Sequence, residues 1–439
     1  MAESGSRRRA QPKRPTVAEQ LQALRDGGLY RQMRKVEGAQ GPRVRIDGSE
    51  VLLLCSNNYL GLAEHELVRL AGAEAYRDYG AGSGASRLVS GNMAAHESLE
   101  RRLADFHEQE EALLFGSGYL ANTGVVGALA RRGQVVYSDE LNHASIVDGC
   151  RLAGAAKFVY RHGDLEHLTW ALQRSAAPPA LIVSDGIFSM DGDVAPLMWL
   201  AELARRHGAR LMVDEAHAVG TYGPAGHGVV AAAGLAGEVD VITGTLGKAL
   251  GSYGAYAAVS QELRELLINT ARPLIFSTGL PPAVVCAAQA ALGLLESEPG
   301  RVTRLRSNAT VLREALEDEG LRPGDSRTQI IPVMIGDPER AVAVCEQALT
   351  EGVYAQAIRP PTVAEGSSRL RLTVMASHEP EELRRAAATI ARAVRAVALG
   401  EGPIAIPEPE GEPGIYRLHG DRAPAPAPGE APLADRRVA

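Results

Sequence analysis

PLMWLAELARRHGARLMVDEAH, residues 196–217, carries the pattern that decides the fold. Its first thirteen residues read as an amphipathic helix, and RLMVDEAH (210–217) as a short apolar strand that runs into polar residues. The same sentence is written several times on either side. QVVYSD (134–139), ALIVSDG (180–186) and DVITGT (240–245) are apolar runs with polar ends, and HESLERRLADFHEQ (96–109) is another amphipathic segment. Strand, loop and helix alternate from about residue 95 to 280, which predicts an α/β fold with a mostly parallel sheet sandwiched by helices. In such sheets ligands bind beyond the carboxyl ends of the strands. The groups Asp139–His143, Ser184–Ser189, Asp214–His217 and Thr245–Lys248 are therefore expected to share one neighbourhood.

Composition narrows the function classes. Hydrophobic residues make up 45% and charged residues 23% of the 439, ordinary values for a globular chain able to bury a large core. A net charge of −7 offers no general attraction to nucleic acid or to anionic lipid, so neither a nucleic acid nor a membrane is expected as partner. Arg7, Arg8, Arg9, Lys13 and Arg14 form a local basic run without the apolar stretch of a secretory signal. Cys55, Cys150, Cys286 and Cys345 lie far apart, form no metal-binding spacing and are expected as buried thiols in a reducing cytoplasm.

The expected organisation is a disordered basic tail (1–15), an N-terminal arm (16–70), a large domain (71–290), a smaller C-terminal α/β domain (291–398) and a disordered Pro/Glu/Ala-rich tail (399–439). In the arm, QLQALRDGGLYRQMRKV (20–36) reads as a helix and VLLLCSNNYLGL (51–62) as a strand and turn. In the C-terminal domain two helical patterns flank TQIIPVMIG (328–336) and SRLRLTVMAS (368–377), with AIRPPTV (357–363) between them.

Lys248 stands out because Gly244, Gly247 and Gly251 surround it. A lone Gly-Lys pair is usually a surface turn; the alternatives are an ammonium that meets phosphate or an amine that forms a Schiff base. A nucleotide-binding loop would need glycine five positions before Gly247 and Ser or Thr after the lysine, where Ile242 and Ala249 stand. Asp214-Glu215-Ala216-His217 spells the DEAH box of an ATPase, yet no phosphate loop precedes it. GAGSGASR (80–87) lacks the strand, turn and helix context of a dinucleotide site.

Schiff-base chemistry with pyridoxal phosphate asks for four things, each for a physical reason. A lysine holds the aldehyde, an acid keeps the ring nitrogen protonated, helix N-terminal N–H groups bind phosphate, and a flat group covers the ring. Lys248, Asp214, the Gly116-Ser117-Gly118 turn and His143 supply them, with His217 in reach of the ring oxygen.

The sequence resembles the α-oxoamine synthases among the fold type I pyridoxal-phosphate enzymes, from about residue 20 to 398. The likeness rests on SNNYLGL, SGASRLVSGN, LFGSGYLAN, LNHASIVDG, GIFSMDGD, MVDEAH, GTLGKALG, FSTGLPP and AIRPPTVAEGSSRLRLT. It implies that Lys248 bears the imine, Asp214 pairs with the pyridinium and His143 stacks. Gly118 and Tyr119 match the phosphate-binding turn, Ser189 and His217 the surroundings of the ring oxygen, and Thr245 a hydroxyl on the phosphate. Ser277 and Thr278 match a segment that reaches the phosphate of the neighbouring subunit, which implies a homodimer with shared sites.

For substrates, the resemblance makes Arg371 the clamp of an amino-acid carboxylate, which a planar guanidinium grips with two bonds. Arg369 is read as an ordinary surface ion pair. Arg31 matches a family residue near the acyl substrate, and Arg359 and Thr362 other substrate contacts, while IRPPTV resembles the pimeloyl-using branch, with Ala364 where the family usually has proline. The implied reaction joins L-alanine to pimeloyl-CoA or pimeloyl-acyl carrier protein with loss of carbon dioxide. His143 also helps to position the acyl carbonyl or the carboxylate. A synthase using glycine or another acyl thioester is the alternative within the class, and a DEAH-type ATPase the one outside it.

Overall fold

The computed structural model describes residues 14–397; most of the tail expected at 1–15 and all of the tail expected at 399–439 lie outside the described residues. The chain begins with a helix at Val17–Asp26, where Thr16 and Glu19 form a reciprocal capping box. The expected longer helix ends there because two glycines come next. Gly28 adopts φ +62, its N–H bonds to the Arg25 carbonyl, and the Leu29 N–H reaches back to Leu24 at 2.8 Å. That pair of bonds is the Schellman arrangement, which glycine permits at little cost. Three short strands come after this turn, β1 (Val36–Glu37), β2 (Arg43–Ile46) and β3 (Ser49–Leu53), paired antiparallel.

The central sheet comprises β4 (Glu111–Phe115), β5 (Val135–Asp139), β6 (Ala156–Tyr160), β7 (Pro179–Asp185), β8 (Arg210–Asp214), β9 (Val241–Thr245) and β10 (Ala255–Val259). Their spatial order is β4-β10-β9-β8-β7-β5-β6, and β10 alone runs against its neighbours. The sheet is thus mostly parallel, as the repeated strand-helix pattern predicts. Side chains alternate between its faces. Val136, Leu181, Val183, Met212 and Val241 pack under the helices Gly118–Leu129 and Ala144–Leu152, while Tyr137, Ile182, Leu211, Val213 and Ile242 face the larger core on the other side. Each such buried aliphatic contributes about 1.5–3 kcal/mol, which is why strands covered on both faces read as unbroken apolar runs.

Beyond this sheet, β11 (Ile330–Gly336), β13 (Gln356–Ile358) and β14 (Ser368–Thr373) form an antiparallel sheet in the order β11-β14-β13; the short β12 (Val353–Tyr354) leaves it to pair in parallel with β3. Three helices accompany these strands, Gly300–Asp318, Pro338–Thr350 and Pro380–Val397, one more than the sequence pattern suggests. The additional one opens on Asp337, whose side chain caps the Arg340 N–H. No described helix is long and apolar enough to cross a membrane. Of the four cysteines, Cys150 and Cys345 are buried, whereas Cys55 and Cys286 are only partly covered, contrary to the expectation of four buried thiols.

Candidate active site

The strand order reverses direction between β5 and β7, so their carboxyl ends open the crevice where α/β sheets bind ligands. Asp185 of β7, Asp214 of β8 and Thr243 of β9 stand in register across it. Above them lies the helix Gly118–Leu129, which inserts Asn122. Asn122 Nδ2 donates to Asp214 Oδ2 at 2.6 Å, its Oδ1 accepts from Thr243 Oγ1 at 2.9 Å, and the Ala216 N–H donates to Asp214 Oδ1 at 2.9 Å. Asp214 is therefore aimed and held by charge-assisted bonds. Glu215, next in the chain, turns to the opposite face, where it accepts the Val230 N–H at 2.6 Å and burial pushes its carboxyl up to about 8. Neighbouring residues of an extended segment point to opposite faces. The acidic pair of the DEAH spelling is therefore split and presents no joint metal site.

Lys248 comes after β9 in a tight loop closed by Leu246 N–H to Gly254 O (2.9 Å) and Gly251 N–H to Lys248 O (2.9 Å). The flanking glycines answer to close packing. A Cβ on Gly244 would stand 2.3 Å from Tyr256 Oη, and one on Gly251, at φ +61, would stand 2.3 Å from the Ala63 backbone nitrogen. The loop is pressed against its surroundings and delivers the amine inward. Lys248 Nζ lies 2.8 Å from His217 Nε2, and His217 Nδ1 lies 2.7 Å from Tyr59 Oη. Tyr59 Oη donates in turn to Asn57 Oδ1 at 2.9 Å. Burial lowers the lysine to about 8, with Asp214 opposing and Arg371 adding to the fall. His217 is held well below its ordinary value by burial first, then by the Lys248 and Arg371 cations. A neutral imidazole accepting at Nε2 and donating at Nδ1 satisfies the whole row.

Arg371, on β14, enters from the other side. Its Nε donates to the Ser189 carbonyl, and both terminal nitrogens lie 3.3 Å from Asn57 Oδ1. The structure thus brings Lys248, Asp214, His217, Ser189 and Arg371 together as expected. His143 stands at the N-terminus of the helix Ala144–Leu152, exposed at the crevice, with Nδ1 2.7 Å from Ser145 Oγ and its own N–H donating to Asp185 Oδ2 at 3.2 Å. Its imidazole is lowered by desolvation, which outweighs the pull of Asp214.

Ser117 caps the helix Gly118–Leu129 by accepting the Leu120 N–H at 3.2 Å, and nothing stands within 4 Å of where a Gly118 side chain would begin. Free N–H groups and open space suit an anion. Thr245 accepts the Gly247 N–H at 3.1 Å and donates to Gly254 O at 3.1 Å, so its hydroxyl closes the lysine loop. Tyr119 is exposed and donates to Asp148.

Other expected residues stand apart from this cluster. Thr278 is exposed and pairs with Ser86 in an isolated bridge, and among the described residues no hydrogen bond ties it or Ser277 to the lysine. Arg359 donates to the Gly28 and Tyr30 carbonyls, with Arg31 close enough to depress it further after burial, and Thr362 lies exposed one turn on. Arg369 departs from expectation: it is 6% exposed, ion-paired with Asp191 and bonded to the Ser367 carbonyl, because its β14 position faces the loop after β7.

Four residues of the site have no role in the sequence reading: Asn57, Tyr59, Asn122 and Asp185, the last expected at the crevice within Ser184–Ser189 but given no part there. The first three lie in SNNYLGL and GYLAN, stretches whose glycines and hydroxyls draw the eye. Asp185 ends an apolar strand as Asp214 does, and that shared position is the signal that could have given it a role.

The family model described as aminotransferase class I and II matches residues 49–390. A relative from Geobacter sulfurreducens named 8-amino-7-oxononanoate synthase is 52% identical over 380 residues, covering 86% of this chain and 97% of its own. A solved structure of SPT with a PLP internal aldimine superposes with a TM-score of 0.83 at 34% identity, over 87% of this chain and 98% of that one. The 8-amino-7-oxononanoate synthase of Francisella tularensis gives a TM-score of 0.68 at 25% identity, over 79% and 98%. A catalytic-type lysine beside a strand-end aspartate, on a sheet of this order, thus has a name for its lineage: the chain belongs to the aminotransferase class I and II family.

Proposed function

We propose that this chain is an 8-amino-7-oxononanoate synthase. It joins L-alanine to a pimeloyl thioester and releases carbon dioxide and the free thiol. Pyridoxal phosphate is its cofactor, and the residues fit that group: an amine, an anchored carboxylate, an open helix N-terminus and an exposed imidazole surround one crevice. When bound, the cofactor supplies an aldehyde for an amine and a ring able to take up the electron pair left when Cα loses its proton.

The observation that carries the proposal is Lys248, poised 2.8 Å from a neutral His217 and lowered to about 8. At pH 7 roughly a tenth of such an amine is unprotonated, against less than a thousandth for an unperturbed lysine. Its nitrogen can therefore take a proton from alanine Cα and return it later, work that contributes about 10²–10⁴ in rate. Asp214, held by Asn122, keeps a proton on the ring nitrogen. His143 covers one ring face and His217 orients the ring oxygen, with Ser189 beside it. Arg371 grips the alanine carboxylate with the fork that Asn57 now occupies. The Gly118 and Tyr119 N–H groups and Thr245 hold phosphate, joined by Ser277 and Thr278 from a second copy in a homodimer. Arg31, Arg359 and Thr362 receive the acyl chain.

Support for the substrates comes from the name of the 52%-identical relative and from the IRPPTV loop. The test is thiol release from pimeloyl-CoA and from pimeloyl-acyl carrier protein with each small amino acid. Alanine should exceed glycine and serine, and pimeloyl should exceed acetyl, succinyl and palmitoyl. Preference for serine with palmitoyl-CoA would replace this reading with that of the SPT neighbours.

A further inference from the structure

The crevice holds a second carboxylate for which the proposed reaction has no use. Asp185 ends β7 beside Asp214, 3% exposed, at the point where the strand order reverses. It is fixed from both ends. Its own N–H donates to Asn142 Oδ1 at 2.8 Å, and its Oδ2 accepts the His143 N–H at 3.2 Å. Asn142 Nδ2 ties the same loop to the Val183 carbonyl at 2.8 Å. The other oxygen, Oδ1, is enclosed without a hydrogen-bond partner among the described residues. Natural proteins rarely leave a buried polar atom so, and a site facing a ligand is one reason they do.

We propose that Asp185 is a positioning residue that fixes His143 over the cofactor ring by accepting its backbone N–H on one oxygen. A carboxylate buried beside another is costly to ionise, the more so the fewer hydrogen bonds it receives. Asp214 has bonds from Asn122 and from Ala216; Asp185 has one, from a backbone N–H. In keeping with this, burial pushes Asp185 well above the usual carboxylate range, Asp214 adds to the rise and Lys248 opposes it. Its service is thus steric and directional. It leaves the ring nitrogen to Asp214 alone and sets the first turn of the helix that carries His143.

The inference rests on the cofactor reading, and its test keeps the two apart. Holoenzyme is prepared as wild type, Asp185→Asn, Asp185→Ala, His143→Ala and the double variant Asp185→Ala/His143→Ala. Three readouts are taken: the cofactor dissociation constant, the visible circular dichroism of the bound cofactor, and kcat and KM for alanine. Asparagine keeps an acceptor for the His143 N–H and a donor on the second position, so it should stay within about twofold of wild type in all three. Asp185→Ala should weaken cofactor binding about tenfold and diminish the dichroic band. In the double variant its effect should add little to that of His143→Ala, because both remove the same ring contact. Full additivity, or an asparagine variant as impaired as the alanine one, overturns the proposal. If Asp185→Ala fails to fold, Asp185→Ser takes its place in the cycle. A wild type that binds no pyridoxal phosphate would instead sink the underlying reading.

Discussion

Lys248 is a cation placed where a cation is costly, and the cost is the point. Burial outweighs the attraction of Asp214 and brings the amine to about 8. Only the neutral amine attacks an aldehyde. The apoenzyme should therefore capture pyridoxal phosphate faster as pH rises, with about an eightfold gain from pH 6.5 to 7.5 and a plateau from about pH 9. Stopped-flow absorbance of apoenzyme mixed with the cofactor reads this directly, and Lys248→Ala should show no imine band at any pH. Arg371 supports a second expectation at this scale. Lysine in its place keeps the charge and loses the fork, so Arg371→Lys should raise KM for alanine by tenfold or more while kcat falls less. Steady-state kinetics with alanine varied would show an unchanged KM if the fork were idle.

At the scale of elements, the loop after β7 is stapled to the ends of β5 and β6 by one imidazole. His162 lies between Asp139 Oδ1 at 3.0 Å and Asp193 Oδ2 at 2.9 Å, with its ring edge-on to Phe188. Burial pulls the imidazole down, but the bonds to Asp139 and Asp193 win and push it up to about 10. A histidine raised in the folded state lends stability that is whole below its unfolded value near 6.5. That stability shrinks as pH rises and is gone above about 10. His162→Asn should accordingly lower the thermal midpoint most at pH 6 to 6.5 and hardly at all at pH 10.5. A gap that stays constant across that range would mean that packing, not the charge, holds the loop. This clamp was invisible in the sequence because its members lie far apart in the chain, Asp139 at the end of β5 and His162 and Asp193 in the loops after β6 and β7. Elements were legible where one rule sufficed. The strands ending in Asp139, Asp185, Asp214 and Thr245 announce themselves by an apolar run and a polar end. β10 does not, since AYAAV has little bulk to mark it, and its antiparallel course depends on pairing with β4 and β9. The site was legible in its charged members, and much less in Asn57 and Asn122, whose work is to orient those charges.

At the scale of the whole molecule, the turn around Thr278 bears on the phosphate site proposed at Gly118, Tyr119 and Thr245. Thr278 sits on the surface in a bridge with Ser86, and large apolar side chains flank that bridge: Leu88 is 54%, Val89 79% and Phe276 70% exposed. The turn that carries them is built rather than loose. Arg87 is locked to the buried Glu100 by two bonds of 2.8 and 3.0 Å, and Glu100 also accepts the Leu114 N–H of β4. A rigid turn with apolar tips around a hydroxyl is suited to seat a second copy of the chain and to hand Thr278 into its crevice. Val89→Asp should then give a monomer at micromolar concentration by sedimentation velocity and weaken cofactor retention several-fold, because each site loses its neighbour's hydroxyls. Trp199→Asp supplies the control, since Trp199 is 64% exposed on the helix Leu197–His207, outside that turn, and should change neither quantity. If Val89→Asp remains a dimer, the apolar tips serve another purpose. If it becomes a monomer that holds the cofactor as tightly as before, Ser277 and Thr278 do not reach across.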